Sequence, residues 1–152
     1  MELSKIVQNI QSILAPAIMI SSSALLLLGF QNKFSALFNR FRALNEEKRY
    51  LRKKREKDNL ERERLKNLEK QLAALTRRAF YVKNAIVFTY LAIIAFLITS
   101  FFIFLGIYFN IQHEHLIIFS FEAGLAGVLM ASIMIVIEVG ISYRILRLEY
   151  KS

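Results

Sequence analysis

The chain has 152 residues, 55% of them hydrophobic, a mean hydropathy of +0.39 and a formal net charge of +9. It contains no cysteine, which excludes disulfides, thiolate metal sites and cysteine nucleophiles. Charge and apolar residues are segregated along the chain: 17 of the 21 Lys and Arg lie between residues 31 and 83, between long apolar runs, so a soluble domain is set aside for a membrane protein.

The first run, Ile6 to Asn32, carries no Lys, Arg, Asp or Glu. About 20 apolar residues span roughly 30 Å of hydrocarbon as a helix, and this run exceeds that. A secretory leader is a poorer reading. Only Lys5 precedes the run, it is longer than a leader's apolar region, and the small-residue stretch Leu14 to Ala17 comes before its most apolar part. The expectation is a retained transmembrane helix over 1–32. Gln8, Gln11, Ser12 and Ala15 follow one another by threes and fours and share a face, with Ser21, Ser22 and Ser23 nearer the middle. Two readings stand: a water-filled polar path, or hydrogen bonding to neighbouring helices. Pro16 has no amide to donate to the carbonyl of Ser12, which favours a kink.

Residues 33–83 contain neither Gly nor Pro and are dominated by strong helix formers. One heptad-like stripe runs Phe34, Leu37, Phe41, Leu44, Lys48, Leu51; a second runs Leu65, Leu68, Leu72, Leu75, Ala79, Val82. Lys57-Asp58-Asn59 separates them with residues that suit a turn. Folding the chain at Asp58 opposes Phe41 with Leu75, Leu44 with Leu72, and Leu51 with Leu65, and leaves Lys48 opposite Leu68 as the one polar intrusion. A helical hairpin with its turn near 57–59 is therefore expected, its arms continuous with the membrane helices as two long helices of about 4–58 and 60–109. A single amphipathic helix lying on the membrane surface is the weaker alternative.

The second run, Asn84 to Gln112, has no charged residue and predicts a transmembrane helix over 84–109. Phe101, Phe102, Phe104, Tyr108 and Phe109 gather at its outer end, as in a lipid-facing helix with an interfacial aromatic belt; packing of these rings on helix three is the other reading. A short outer turn over 110–115 holds His113, Glu114 and His115, too thin a set for a metal site. The third run gives a transmembrane helix over 116–143. Ala123, Gly127 and Ala131 repeat every four residues, and Ser120, Gly124 and Gly127 share a side, which predicts close helix packing and a central or subunit-contacting helix. Glu122 and Glu138 are the charged groups of this run, each about 12 Å along the helix from its middle. Glu138 has Arg144 or Lys83 as expected partners, and Glu122 has Lys5 or the His113/His115 turn; the functional alternative is a ring of carboxylates in an oligomer.

Lys and Arg collect on the cytoplasmic side of membrane proteins. This places 33–83 and the tail 144–152 inside and the N-terminus and 110–115 outside. The acidic residues scattered through 33–83 leave no unbroken basic face for nucleic acid, whereas Lys33, Arg77, Arg78 and Lys83 lie where anionic lipid would meet them. No phosphate loop, H-E-x-x-H pair or nucleophile–base set is present, so neither enzymatic chemistry nor a cofactor is expected.

The segment Gln11 to Leu28, followed by Asn39-Arg40-Phe41-Arg42-Ala43-Leu44, resembles a bacterial three-helix membrane-protein family of unknown function. That family carries a Pro-containing first helix and an Arg-x-Arg-x-Leu stretch just inside the membrane, so the resemblance implies that Arg40-Phe41-Arg42 belongs to a juxtamembrane element. It implies no activity. The topology is also similar to the MotA/TolQ/ExbB class of ion-driven motor subunits, which form rings; that likeness is one of architecture.

The fold expected is thus all-α: three transmembrane helices and a cytoplasmic antiparallel hairpin built from extensions of helices one and two. The functional expectation is a homo-oligomeric ring that conducts or gates ions, with Glu122, Glu138, Gln8, Gln11, Ser12 and Ser22 as polar-path residues and the bilayer and further copies of the chain as partners. The alternative is a non-conducting scaffold that docks a cytoplasmic protein through the hairpin.

Overall fold

Three helices account for all but one of the described residues. The computed structural model describes residues 2–53, 58–109 and 114–150; the side chains of residues 2, 3, 5 and 144–150 are not among those described. Helix α1 runs Glu2–Lys53, α2 Asn59–Phe109 and α3 Glu114–Tyr150, and every described residue except Asp58 is helical. All three are long and apolar enough to cross a membrane. The expected long helices of about 4–58 and 60–109 correspond to α1 and α2. Residues 54–57, with Lys57 of the expected turn, and residues 110–113 of the outer turn lie outside the described residues.

Local chemistry explains these limits. Pro16 sits inside α1 without ending it. Asp58 caps α2: its carbonyl accepts from the amides of Glu61 and Arg62 at 3.0 and 3.1 Å, and its carboxylate accepts the Asn59 amide at 2.7 Å. A capping carboxylate satisfies amides that lack helical partners and meets the positive end of the helix dipole. The helix α3 continues through 144–150, past the expected end of its apolar run.

The helices are divided between two compact units. Unit 1 comprises residues 1–29 and 85–133, and unit 2 comprises 30–84 and 134–152. In unit 1 the buried stripe belongs mainly to α2: Ala85, Thr89, Ala92, Phe96, Thr99 and Ile103 step by threes and fours along one face. Pro16 and Ser23 of α1, and Ser120, Gly124 and Ala131 of α3, complete the interior. This corrects the assignment of helix two as the lipid-facing helix. Its Phe101, Phe104, Tyr108 and Phe109 rings are indeed exposed, but its opposite face is the most buried surface of the unit. The physical reason is that Thr89 and Thr99 hide their polarity by donating to the carbonyls of Ala85 and Ala95, so they pack as small apolar groups.

In unit 2, Leu37 of α1 and Leu68, Leu72, Leu75 and Val82 of α2 are buried. Phe34, Phe41, Leu44, Lys48, Leu51, Leu65 and Ala79 are partly buried, so every residue of the two sequence stripes is at least half covered. Around them run ion pairs from α1 to α2: Lys48 and Arg52 with Glu69, each at 3.2 Å, and Arg64 with Glu47 at 2.9 Å.

Candidate functional site

Two polar features rise above ordinary packing, one in each unit. In unit 2, Glu138 projects from α3 and its side chain is 0% exposed. One carboxylate oxygen, Oε1, accepts from Arg78 Nε of α2 at 2.9 Å and from the Ser142 hydroxyl at 2.9 Å. The other, Oε2, is held by the ammonium of Lys33 of α1. Lys33 and Arg78 keep side-chain exposures of 33% and 20%. A carboxylate taken out of water is tolerated only when paired and hydrogen-bonded; here Oε1 accepts two hydrogen bonds and Oε2 is ion-paired with Lys33. The arrangement ties α1, α2 and α3 at one point of unit 2.

This geometry corrects the pairing expected for Glu138. Its cations are Lys33 and Arg78; Lys83 is exposed, with its ammonium 5.9 Å from the Phe80 ring centroid, and the Arg144 side chain is outside the described ones. It also divides the four residues grouped as lipid contacts. Lys33 and Arg78 are drawn onto a buried carboxylate, while Arg77 and Lys83 are exposed. One sequence signal was available. Ser120, Gly124, Gly127, Ala131 and Glu138 fall on a single heptad-spaced stripe of α3, so the glutamate occupies the helix-facing side.

The second feature is a cleft of about 690 Å³ in unit 1. Pro16, Ile103, Phe121 and Leu125 supply apolar wall, and Asn9, Ser12, Thr99, Glu114 and Glu122 supply polar groups. Glu122 is exposed and makes no ion pair among the described residues; His115 is exposed too, and His113 and the side chain of Lys5 are not described. Ser12 and Glu122, both sequence candidates, therefore share the cleft. Gln8, Gln11 and Ser22 are exposed on α1 but do not line it. The hydroxyls of Ser12 and Ser21 donate to the carbonyls of Gln8 and Ala17 at 2.9 and 3.1 Å. Asn9 and Glu114 are cleft residues that the sequence reading missed, because the wall is assembled from three helices and no single periodicity contains it.

Below the cleft the small residues of α3 meet α2. A Cβ on Gly124 would lie 2.5 Å from Cε1 of Phe96, and one on Gly127 would lie 3.0 Å from the Ala92 Cβ and 3.2 Å from the Phe88 carbonyl oxygen. Ala131 is buried, while Ala123 is exposed, so the packing face follows 124, 127 and 131 and excludes 123. Thr99 and Ser120 join the two helices by a hydroxyl–hydroxyl hydrogen bond of 2.8 Å. No group of three or more metal-ligating side chains occurs among the described residues.

No curated protein and no solved structure matches the chain, so the similarity to the MotA/TolQ/ExbB class gains no support from comparison. A family model does match residues 13–148, a span that contains the proline of α1, the Arg40-Phe41-Arg42-Ala43-Leu44 stretch, the α3 packing face and Glu138. The chain belongs to that family, DUF2721, described as a protein of unknown function.

Proposed function

We propose that this protein is a homo-oligomeric, multi-pass membrane protein that passes cations, and that the unit 1 cleft is the outer entry of the path. The observation that carries this reading is Glu122, an exposed carboxylate inside an apolar run with no ion pair among the described residues, lining a cleft with Asn9, Ser12, Thr99 and Glu114. Polar and charged groups within a membrane face protein or water, because lipid leaves them unsatisfied. A single copy leaves Gln8, Gln11, Ser12 and Glu122 on its surface, so further copies and a hydrated path are what would cover them. A carboxylate at such an entry raises the local cation concentration and repels anions.

The same reading has the N-terminus outside and the C-terminus in the cytoplasm, by the bias of Lys and Arg toward 33–83 and the tail. Residues 33–83 form a cytoplasmic antiparallel hairpin. Its support is the burial of both leucine stripes and the ion pairs of Glu69 with Lys48 and Arg52. Glu138 serves as a structural tie and not as part of the path, since both its oxygens are occupied.

Cation flux into liposomes carrying the purified protein tests the proposal. A flux exceeding that of protein-free liposomes, reduced by Glu122→Gln, is expected; no flux above the protein-free level contradicts it. The scaffold reading is favoured by one observation, the exposed charged rim of the 33–83 segment, including Arg62 and Lys66. Crosslinking in cells separates the two: loss of a crosslinked partner in Arg62→Glu, with flux absent throughout, selects the scaffold.

A further inference from the structure

We propose that Lys33 and Arg78, positioned by Glu138, bind an anionic phosphate group, supplied by the headgroup of an acidic lipid in the cytoplasmic leaflet. The inference uses the membrane orientation proposed above and is independent of conduction.

The described groups of the cluster carry one excess positive charge: two cations face one carboxylate. Arg78 spends Nε on Glu138, and the two terminal nitrogens of its guanidinium make no hydrogen bond to a described residue. An ammonium has three N–H donors, and Lys33 needs one for Glu138. The carboxylate is sealed from solvent, so the accessibility of the ion cluster belongs to the two cations. A guanidinium fixed through Nε presents its remaining donors as a rigid fork, which matches two oxygens of a phosphate. The lysine beside it supplies a second point of charge.

Depth agrees with this occupant. The apolar run of α3 ends near Tyr143, five residues beyond Glu138, or roughly 7.5 Å along a helix. Long basic side chains at such a depth reach headgroup phosphates while their stems remain in hydrocarbon. Arg77 and Lys83 are also basic and nearby in sequence, but they are exposed and neither is ion-paired with Glu138, so they attract acidic lipid diffusely.

Native mass spectrometry of protein taken from bilayers of equal phosphatidylglycerol and phosphatidylcholine reads the proposal. The wild type should retain phosphatidylglycerol preferentially. The double variant Arg78→Gln with Glu138→Gln keeps the net charge and removes the fork; retention should fall about tenfold. Lys33→Gln, which preserves the Arg78–Glu138 pair and so guards against misfolding of the double variant, should also lower it. Lys83→Gln loses the same charge and should change retention less than about twofold. Equal losses in Lys83→Gln and Lys33→Gln, with the charge-neutral double variant unchanged, would mean diffuse electrostatics and overturn the site. Retention unchanged in both the double variant and Lys33→Gln would do the same. Binding of inorganic phosphate without preference for phosphatidylglycerol would reject a lipid source. Retention of neither lipid by the wild type would likewise overturn the site.

Discussion

Gly124 shows how one missing side chain sets the distance between two helices. Phe96 is fully buried, and three of its ring carbons lie 2.5 to 2.8 Å from where a Gly124 Cβ would stand. Gly124→Ala should therefore destabilise by about 1–3 kcal/mol, the range for overpacking a close-packed interior, in unfolding measurements in detergent. Adding Phe96→Leu should recover part of the loss. Gly29 is the internal control: nothing lies within 4 Å of its Cβ position, so Gly29→Ala should be neutral or stabilising by up to about 1 kcal/mol. Glu138→Gln leaves Lys33 and Arg78 without their counter-charge and should cost about 3–5 kcal/mol, as for breaking a buried pair. Glu122→Gln, at an exposed site with no ion pair among the described residues, should leave stability nearly unchanged. At this scale the sequence was partly legible. The small residues at 124, 127 and 131 announced a packing face, but the partners of Glu138 depend on the registers of three helices together, which no single helix encodes.

The proposed hairpin is held by leucines more than by charge. The pairs of Glu69 and Glu47 lie on exposed side chains, where each contributes about 0.2–1 kcal/mol. Leu72 is buried, and Leu72→Ala should cost about 2–5 kcal/mol, against less than about 1 kcal/mol for Glu47→Ala. Because the chain has no cysteine, introduced pairs report register cleanly. Leu44→Cys with Leu72→Cys, and Leu51→Cys with Leu65→Cys, should oxidise readily. Leu44→Cys with Leu65→Cys is displaced by seven residues, about 10 Å, beyond the reach of a disulfide, and should not. Equal oxidation of matched and displaced pairs would count against the hairpin. The elements themselves were legible because the heptad stripes and the charge-free runs are long. The central role of α2 was not, since its buried threonines read as polar residues until their hydroxyls are seen bonded to their own backbone.

At the scale of the whole molecule, the segregation of charge supports the proposed orientation and the uncovered polar surface supports the proposed oligomer. A membrane-impermeant maleimide applied to intact cells should label Ser4→Cys and His115→Cys, and should label Asn59→Cys only after lysis; the reverse pattern would invert the topology. The cleft was the least legible feature: Ser12 and Glu122 were candidates, yet Asn9 and Glu114 join them only when the helices are assembled. Conduction is the central claim, and single-channel recording in planar bilayers under a salt gradient tests it most directly. The account predicts discrete openings with a cation-selective reversal potential, shifted toward zero by Glu122→Gln. Bilayers that stay silent, or openings whose selectivity is indifferent to Glu122, would contradict it.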